Sequence, residues 1–132
     1  MPFTFTQRVR LEDTSTAGTL YYATVPTYVG RAVEDLLAAT RHPYRENLEE
    51  DLGLLVVRTE SEYSRPMREG DDIRIEITHS VGESSIRFDA FATRDGEEVF
   101  RASETRVSVD LSTMESHPVP ESLREGLAAD VT

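Results

Sequence analysis

Cysteine, tryptophan and lysine are all absent from this chain of 132 residues. Without cysteine there is no disulfide and no thiolate metal site. No apolar run is long enough to span a bilayer. The start, Met1-Pro2-Phe3-Thr4-Phe5, lacks the charged segment and apolar core of a secretory signal, so a cytoplasmic protein is expected. His42, His79 and His117 are scattered without ligand spacing, so no metal is expected. Phosphate-loop and dinucleotide signatures are missing, and no G-x-S-x-G elbow presents a serine nucleophile. The length fits one domain, residues 1–132, with a single modest core.

Charge is lopsided. Acidic residues number 25 against 14 basic ones, every one an arginine, for a formal net charge of −11. Such a surface argues against nucleic acid and anionic membranes as partners. Two origins fit the arginine-only pattern: a GC-rich genome, or a halophile cytoplasm in which excess carboxylates keep the protein hydrated.

The apolar residues that are present fall into clear periods. Phe3 to Leu11 alternates, with Phe3, Phe5, Val9 and Leu11 on one side, which predicts a half-buried strand. Val25, Tyr28, Val29, Ala32, Val33, Leu36 and Leu37 make a complete helical stripe. Thr24 is placed to cap that helix and Pro26 suits its first turn. Gly30, inside the stripe, costs about 1 kcal/mol relative to alanine, which points to close packing on a sheet. His42-Pro43 should end the helix, and Tyr44 to Asp51 reads as a loop or short helical turn.

Four more strands are predicted: Leu54 to Ser64, the stretch around Ile73, Ile75 and Ile77, Ser85 to Thr93, and Val99 to Val109. Asp95-Gly96 marks a hairpin. Residues 111–132 read as a polar tail with a short helix from Glu121 to Ala128. One strand, one helix and four strands make an α+β domain. A single helix cannot cover both faces of the sheet, so a homo-oligomer, dimer or tetramer, is expected.

The connection from Glu12 to Ala23 concentrates polar chemistry: an acidic pair, four serine and threonine hydroxyls, Gly18 and two tyrosines between a strand and a helix start. Loops on rigid elements are where binding and catalysis sit. A helix start offers unpaired N–H groups to a developing negative charge.

Glu12 to Ala23 resembles the first motif of the 4-hydroxybenzoyl-CoA thioesterase family, roughly D-x-D-x-x-G-x-V-Y-[YHF]-A-N, with Asp13, Gly18, Leu20, Tyr21, Tyr22 and Ala23 at matching positions. Val25, Ala32, Glu34, Asp35 and Leu37 are similar to the helix of its 1,4-dihydroxy-2-naphthoyl-CoA hydrolase branch. Tyr63 to Ile73 resembles the family's Y-x-x-P-x-x-x-G-D segment, and Ser85 and Thr105 match later strand positions. The resemblance runs from about Phe5 to Asp110. It implies the hotdog fold, an antiparallel sheet wrapped around one long central helix. It also implies an acyl-CoA thioesterase that needs no cofactor, with coenzyme A or carrier-protein thioesters as substrates.

The chain departs from the family at three places, one of them Gly82-Glu83-Ser84, which replaces its basic cluster before the fourth strand. Ser15 stands where the family has its catalytic carboxylate, Thr24 stands for its asparagine, and Asp13 corresponds to the first, supporting acid. A related hotdog branch acting on carrier-bound polyene chains also lacks the acid.

By resemblance, the backbone N–H of Tyr22 is the oxyanion donor, while Tyr21 and Tyr22 side chains pack the helix on the sheet or line the site. Ser15 either holds the attacking water or makes a turn hydrogen bond. Asp13 is either a substitute base or a partner of loop amides. Gly18 allows backbone freedom or close ligand approach. Glu34 or Asp35 could face a neighbouring subunit's cleft. Thr24, Tyr63, Arg65 and Ser85 are candidate substrate contacts, Tyr63 being alternatively a core residue of its strand. Arg87, Arg94, Arg101 and Arg106 either meet the coenzyme A phosphates or alternate on the outer face of the sheet. Three functions follow: a thioester hydrolase, a non-hydrolytic acyl-thioester binder, or a structural oligomer.

Overall fold

The alternation of isoleucine with charged residues over Ile73–Thr78 demands a strand with one dry face. A computed structural model, which describes residues 2–40 and 51–129, sets it in a curled antiparallel sheet. The elements are β1 (Phe3–Arg8), α1 (Val25–Ala39), β2 (Leu52–Tyr63), β3 (Asp72–Val81), β4 (Ser85–Arg94), β5 (Glu97–Asp110), β6 (Glu115–Ser116) and α2 (Glu121–Ala128). The strand order is β1-β3-β4-β5-β2, with β6 pairing on the end of β5. Short 3-10 turns at Leu11–Asp13 and Tyr22–Thr24 lead into α1.

All seven residues of the helical stripe are buried. They lie on Ile73, Ile75 and Ile77 of β3, and on Ile86, Phe88, Ala90 and Ala92 of β4, within one core cluster. Each large side chain fully buried there stabilises the fold by roughly 1.5–3 kcal/mol. Pro26 sits in the first turn as expected. The hairpin joining β4 and β5 turns at Asp95 and Gly96, with φ of 52° and 82°. Positive φ at both positions matches the right-handed twist of the strands.

Several expectations need correction. β1 stops at Arg8, because its partner β3 begins at Asp72, which faces Arg8. Leu11 therefore leaves the ladder and is 70% exposed, instead of sharing a buried face with Phe5 and Val9. Thr24 does not cap α1 with its side chain: it is already helical, at φ −79° and ψ −23°. Its hydroxyl lies instead 3.4 Å from the Asp13 carbonyl. A Cβ on Gly30 would meet only the Glu104 carboxylate, at an ordinary 3.8 Å, so close packing does not require glycine there.

Arg106 is not on the outer face. It lies five residues from Arg101 in an unbroken stretch of pairing with β4, and an odd spacing puts the two on opposite faces. Arg106 and Glu104 form a buried ion pair, with side chains 7% and 4% exposed. The polar tail is docked: Val119, Leu123 and Leu127 join the core, and Val119 N–H donates to the Glu83 carbonyl at 2.9 Å. Gly126 faces the end of α1, where a Cβ would stand 2.9 Å from Thr40 Cβ. The expectations for His42-Pro43 and for residues 44–50 lie outside the described residues, and Asp51 is in a turn. No helix among the described residues is long and apolar enough to cross a membrane.

Candidate active site

The loop before α1 is held by its own backbone and by the segment that follows β2. Ser15 N–H donates to the Thr19 carbonyl and Gly18 N–H to the Ser15 carbonyl, at 2.8 and 2.9 Å. This tight reversal puts Gly18 at φ +80°, with nothing near an added Cβ. Its glycine is therefore explained by backbone conformation. Next, Leu20 N–H donates to the Met67 carbonyl at 2.6 Å and Tyr21 N–H to the Asp13 carbonyl at 2.9 Å. Thr19 and Arg68 form an isolated antiparallel bridge.

Tyr22 opens the 3-10 turn that runs into α1. Its N–H has no protein acceptor among the described residues, as expected for a helix start. The positive end of the α1 dipole lies there. The peptide that carries this N–H is fixed through its other end, because the Tyr21 carbonyl accepts Thr24 N–H at 2.9 Å. The Tyr22 carbonyl accepts Val25 N–H and the Tyr63 hydroxyl, the latter at 2.8 Å. The Tyr21 and Tyr22 rings lie 4.8 Å apart at 49°.

Beside Tyr22 is a cleft of about 340 Å³ walled by Thr19, Leu20, Tyr22, Tyr63, Ser64, Arg65, Pro66 and Met67. Three residues singled out from the sequence, Tyr22, Tyr63 and Arg65, meet in it. Arg65 is already engaged, with Nε 2.8 Å from Glu97 and Nη1 donating to the Glu98 carbonyl at 2.6 Å. Ser64 donates to Glu98 at 2.6 Å, and that bond, followed by the Arg101 contact, holds the Glu98 carboxyl below its usual range.

Ser15 and Asp13 are not among the residues that wall this cleft. Ser15 Oγ accepts Ala17 N–H at 3.3 Å, a turn contact. Asp13 Oδ2 accepts the Tyr28 hydroxyl at 2.6 Å and Arg10 N–H at 3.1 Å. Burial, and then the bond to Asp13, push the Tyr28 hydroxyl above its usual range, so it stays a donor. Asp13 thus ties the loop to the core face of α1. Glu34 and Asp35 are exposed on α1.

Ser85 opens β4 opposite Val107, whereas Tyr63 lies over Phe100 and Ala92. The seven-residue separation along β4 is about 23 Å at the rise of a strand. One chain alone does not bring Ser85 to the cleft. Arg87, Arg94, Arg101 and Arg106 are each paired with a carboxylate of the same chain, Asp89, Asp71, Glu98 and Glu104. Among the described residues no group of three potential metal ligands forms.

Sequence reasoning did not single out Thr19, Ser64, Pro66 or Met67 as cleft walls. The Y-x-x-P stretch was the available signal. The Thr19–Arg68 bridge and the Leu20–Met67 and Tyr63–Tyr22 bonds reveal that it lies against the loop. An open amide at a helix start, on a residue that borders a cleft, can receive an oxygen that gains negative charge.

The chain's relatives carry such chemistry in their names. It is 27% identical over 128 residues to a 1,4-dihydroxy-2-naphthoyl-CoA hydrolase of Synechococcus elongatus, covering 95% of this chain and 94% of that one. Its fold superimposes on a 1,4-dihydroxy-2-naphthoyl-CoA thioesterase from Synechocystis with a TM-score of 0.91 at 20% identity, covering 97% and 96% of the two chains. A Staphylococcus aureus protein solved in complex with CoA matches with a TM-score of 0.90 at 16% identity, over 97% of this chain and 82% of that one. These neighbours establish the hotdog fold. The profile of the Thioesterase-like superfamily matches residues 9–127, and the chain belongs to that superfamily.

Proposed function

We propose that this protein hydrolyses acyl-CoA thioesters to a carboxylic acid and free coenzyme A, using the Tyr22 amide to hold the carbonyl oxygen. One observation carries the mechanism: that N–H is open, fixed at both flanking peptides, and borders a cleft. Water attacks the thioester carbon, and the oxygen that becomes negative lies against Tyr22 N–H and the α1 dipole. Collapse of the tetrahedral intermediate breaks the C–S bond, and the thiolate leaves and takes up a proton. A donor of this kind is worth about 100- to 1,000-fold in rate.

The attacking water is held near Ser15 or Asp13. Ser15 Oγ keeps a proton and a lone pair beyond its turn contact. Asp13 Oδ1 makes no hydrogen bond among the described residues. By analogy with the named relatives, the acyl group is a hydroxylated aromatic acid. Tyr22 and Tyr63 in the wall suit a flat ring. We place the enzyme in the cytoplasm, where such thioesters are made.

We also infer a homodimer or homotetramer, because β2 ends the sheet and leaves Val56 and Val57 exposed at 48% and 61%. Light scattering that returns a monomer mass would remove this inference. We read the acidic, lysine-free surface as halophilic. Molar KCl should then raise Tm, since the Debye length falls to about 3 Å.

Purified protein tested on a panel of acyl-CoAs should turn over aromatic thioesters faster than straight-chain ones. Ser15 in place of the family carboxylate favours a second reading, a binder without turnover. Stabilisation by acyl-CoA with no thiol released would establish that alternative. Ser15→Asp should raise kcat by about 100-fold if it restores the base. An unchanged kcat in a folded, binding variant would put the water elsewhere.

A further inference from the structure

Resting on the assignment of the Tyr22 amide as oxyanion donor, we propose that Tyr63 is a positioning residue that holds this amide in its working direction. The phenol stands at the end of β2 and donates to the Tyr22 carbonyl at 2.8 Å. Tyr63 is 48% exposed, so water could satisfy its hydroxyl equally well. The bond exists because the ring spans from the sheet to the start of α1.

Consecutive residues before α1 are tethered in different ways. Leu20 and Tyr21 are held by main-chain bonds to Met67 and Asp13. Only at Tyr22 is the tie to the sheet a side chain, which one substitution can cut. The Tyr22 carbonyl has two lone pairs, one taken by Val25 N–H and the other by Tyr63. With both filled, the Tyr22–Ala23 peptide plane cannot rotate without losing a bond. The neighbouring Tyr21–Tyr22 plane, which carries the donor N–H, is held through Thr24. Removing the phenol oxygen leaves the Tyr22–Ala23 plane on the Val25 bond alone and lets the first turn of the helix fray.

A donor must be aimed at the oxyanion before the reaction to be worth its full effect. A loosened one should lose part of that effect and leave substrate binding alone. Tyr63→Phe keeps the ring against the cleft and deletes only the hydroxyl. We expect kcat to fall roughly tenfold, a fraction of the loss for a deleted donor, with KM changed less than about twofold. The NMR order parameter of the Tyr22 amide should drop below its rigid value of about 0.85.

A KM that rises at constant kcat would make Tyr63 a substrate contact and overturn the proposal. So would an unchanged kcat in a variant whose parent is active, or an unchanged order parameter at Tyr22. A parent enzyme that turns over no acyl-CoA would overturn the oxyanion reading itself, and this one with it.

Discussion

Two regions of the molecule hold polar groups against α1 in opposite ways. Beneath the middle of the helix, Glu104 and Arg106 are buried and paired with each other. At its start, the Tyr22 amide is left open beside a cleft while the Tyr21 and Tyr22 carbonyls on either side of it are tied down. A buried charge pair costs desolvation that its attraction offsets only in good geometry, so it is architecture. An unpaired donor at the surface costs little, because water serves it until a better acceptor arrives. In the proposed mechanism function goes with the group left open, and the most deeply buried charges are outside it.

The sharpest way to break this contrast is Glu104→Gln. It strands a buried guanidinium and should lower stability by about 3–5 kcal/mol in a urea melt, while the folded fraction keeps its kcat. A loss below about 1 kcal/mol would mean the pair is not sealed. Tyr28→Phe tests the link between the two regions, since its hydroxyl reaches from the core to Asp13 in the loop. About 1.5–3 kcal/mol should go with a hydrogen bond to a charged group, and kcat should fall as well, because Asp13 also anchors Tyr21.

Gly18→Ala touches only the open region. At φ +80° an alanine should cost about 1–2 kcal/mol, with a measurable loss of turnover and an undisturbed core by near-UV circular dichroism. The smallest effect belongs to Asp71. Arg68 N–H, and then the Arg94 guanidinium, hold its carboxyl below the usual range. Because the folded value is the lower one, this stabilisation is complete above the unfolded pKa of about 3.9. It is lost as pH falls through the folded value. Asp71→Asn should flatten that acid limb of the stability curve and leave neutral kcat untouched.

Much of the fold was legible because it is written in periods. The stripe from Val25 to Leu37 repeats with the helix, and the isoleucines of β3 repeat with the strand. The signals that failed were those set by partners. Leu11 continues the alternation of β1, but the ladder ends where β3 begins, so the pattern has nothing to pair with. Arg106 looks like its fellow strand arginines until the pairing with β4 is counted. Val119, Leu123 and Leu127 are too few to stand out from a polar stretch, yet one helical turn lines Leu123 and Leu127 up on the core and Val119 joins them from just before the helix. The site divides the same way. The loop motif and Tyr63 could be found by resemblance. The cleft could not, because its far wall is brought over by long-range ties, the Thr19–Arg68 bridge and the Leu20–Met67 bond.

The pairing of arginine with carboxylate on and around the sheet, at Arg8–Asp72, Arg87–Asp89 and Arg94–Asp71, has a chemical corollary. Thioesters acylate free amines without any catalyst, and the ε-amine of lysine is the usual victim. A guanidinium stays protonated at every physiological pH and offers no such nucleophile. A protein whose side-chain cations are all of this kind can sit in concentrated activated acyl groups and leave only its terminal amine to be modified. Amine-directed dyes and cross-linkers will find no side chain to react with, so mass-spectrometric mapping of its assembly has to go through the carboxylates.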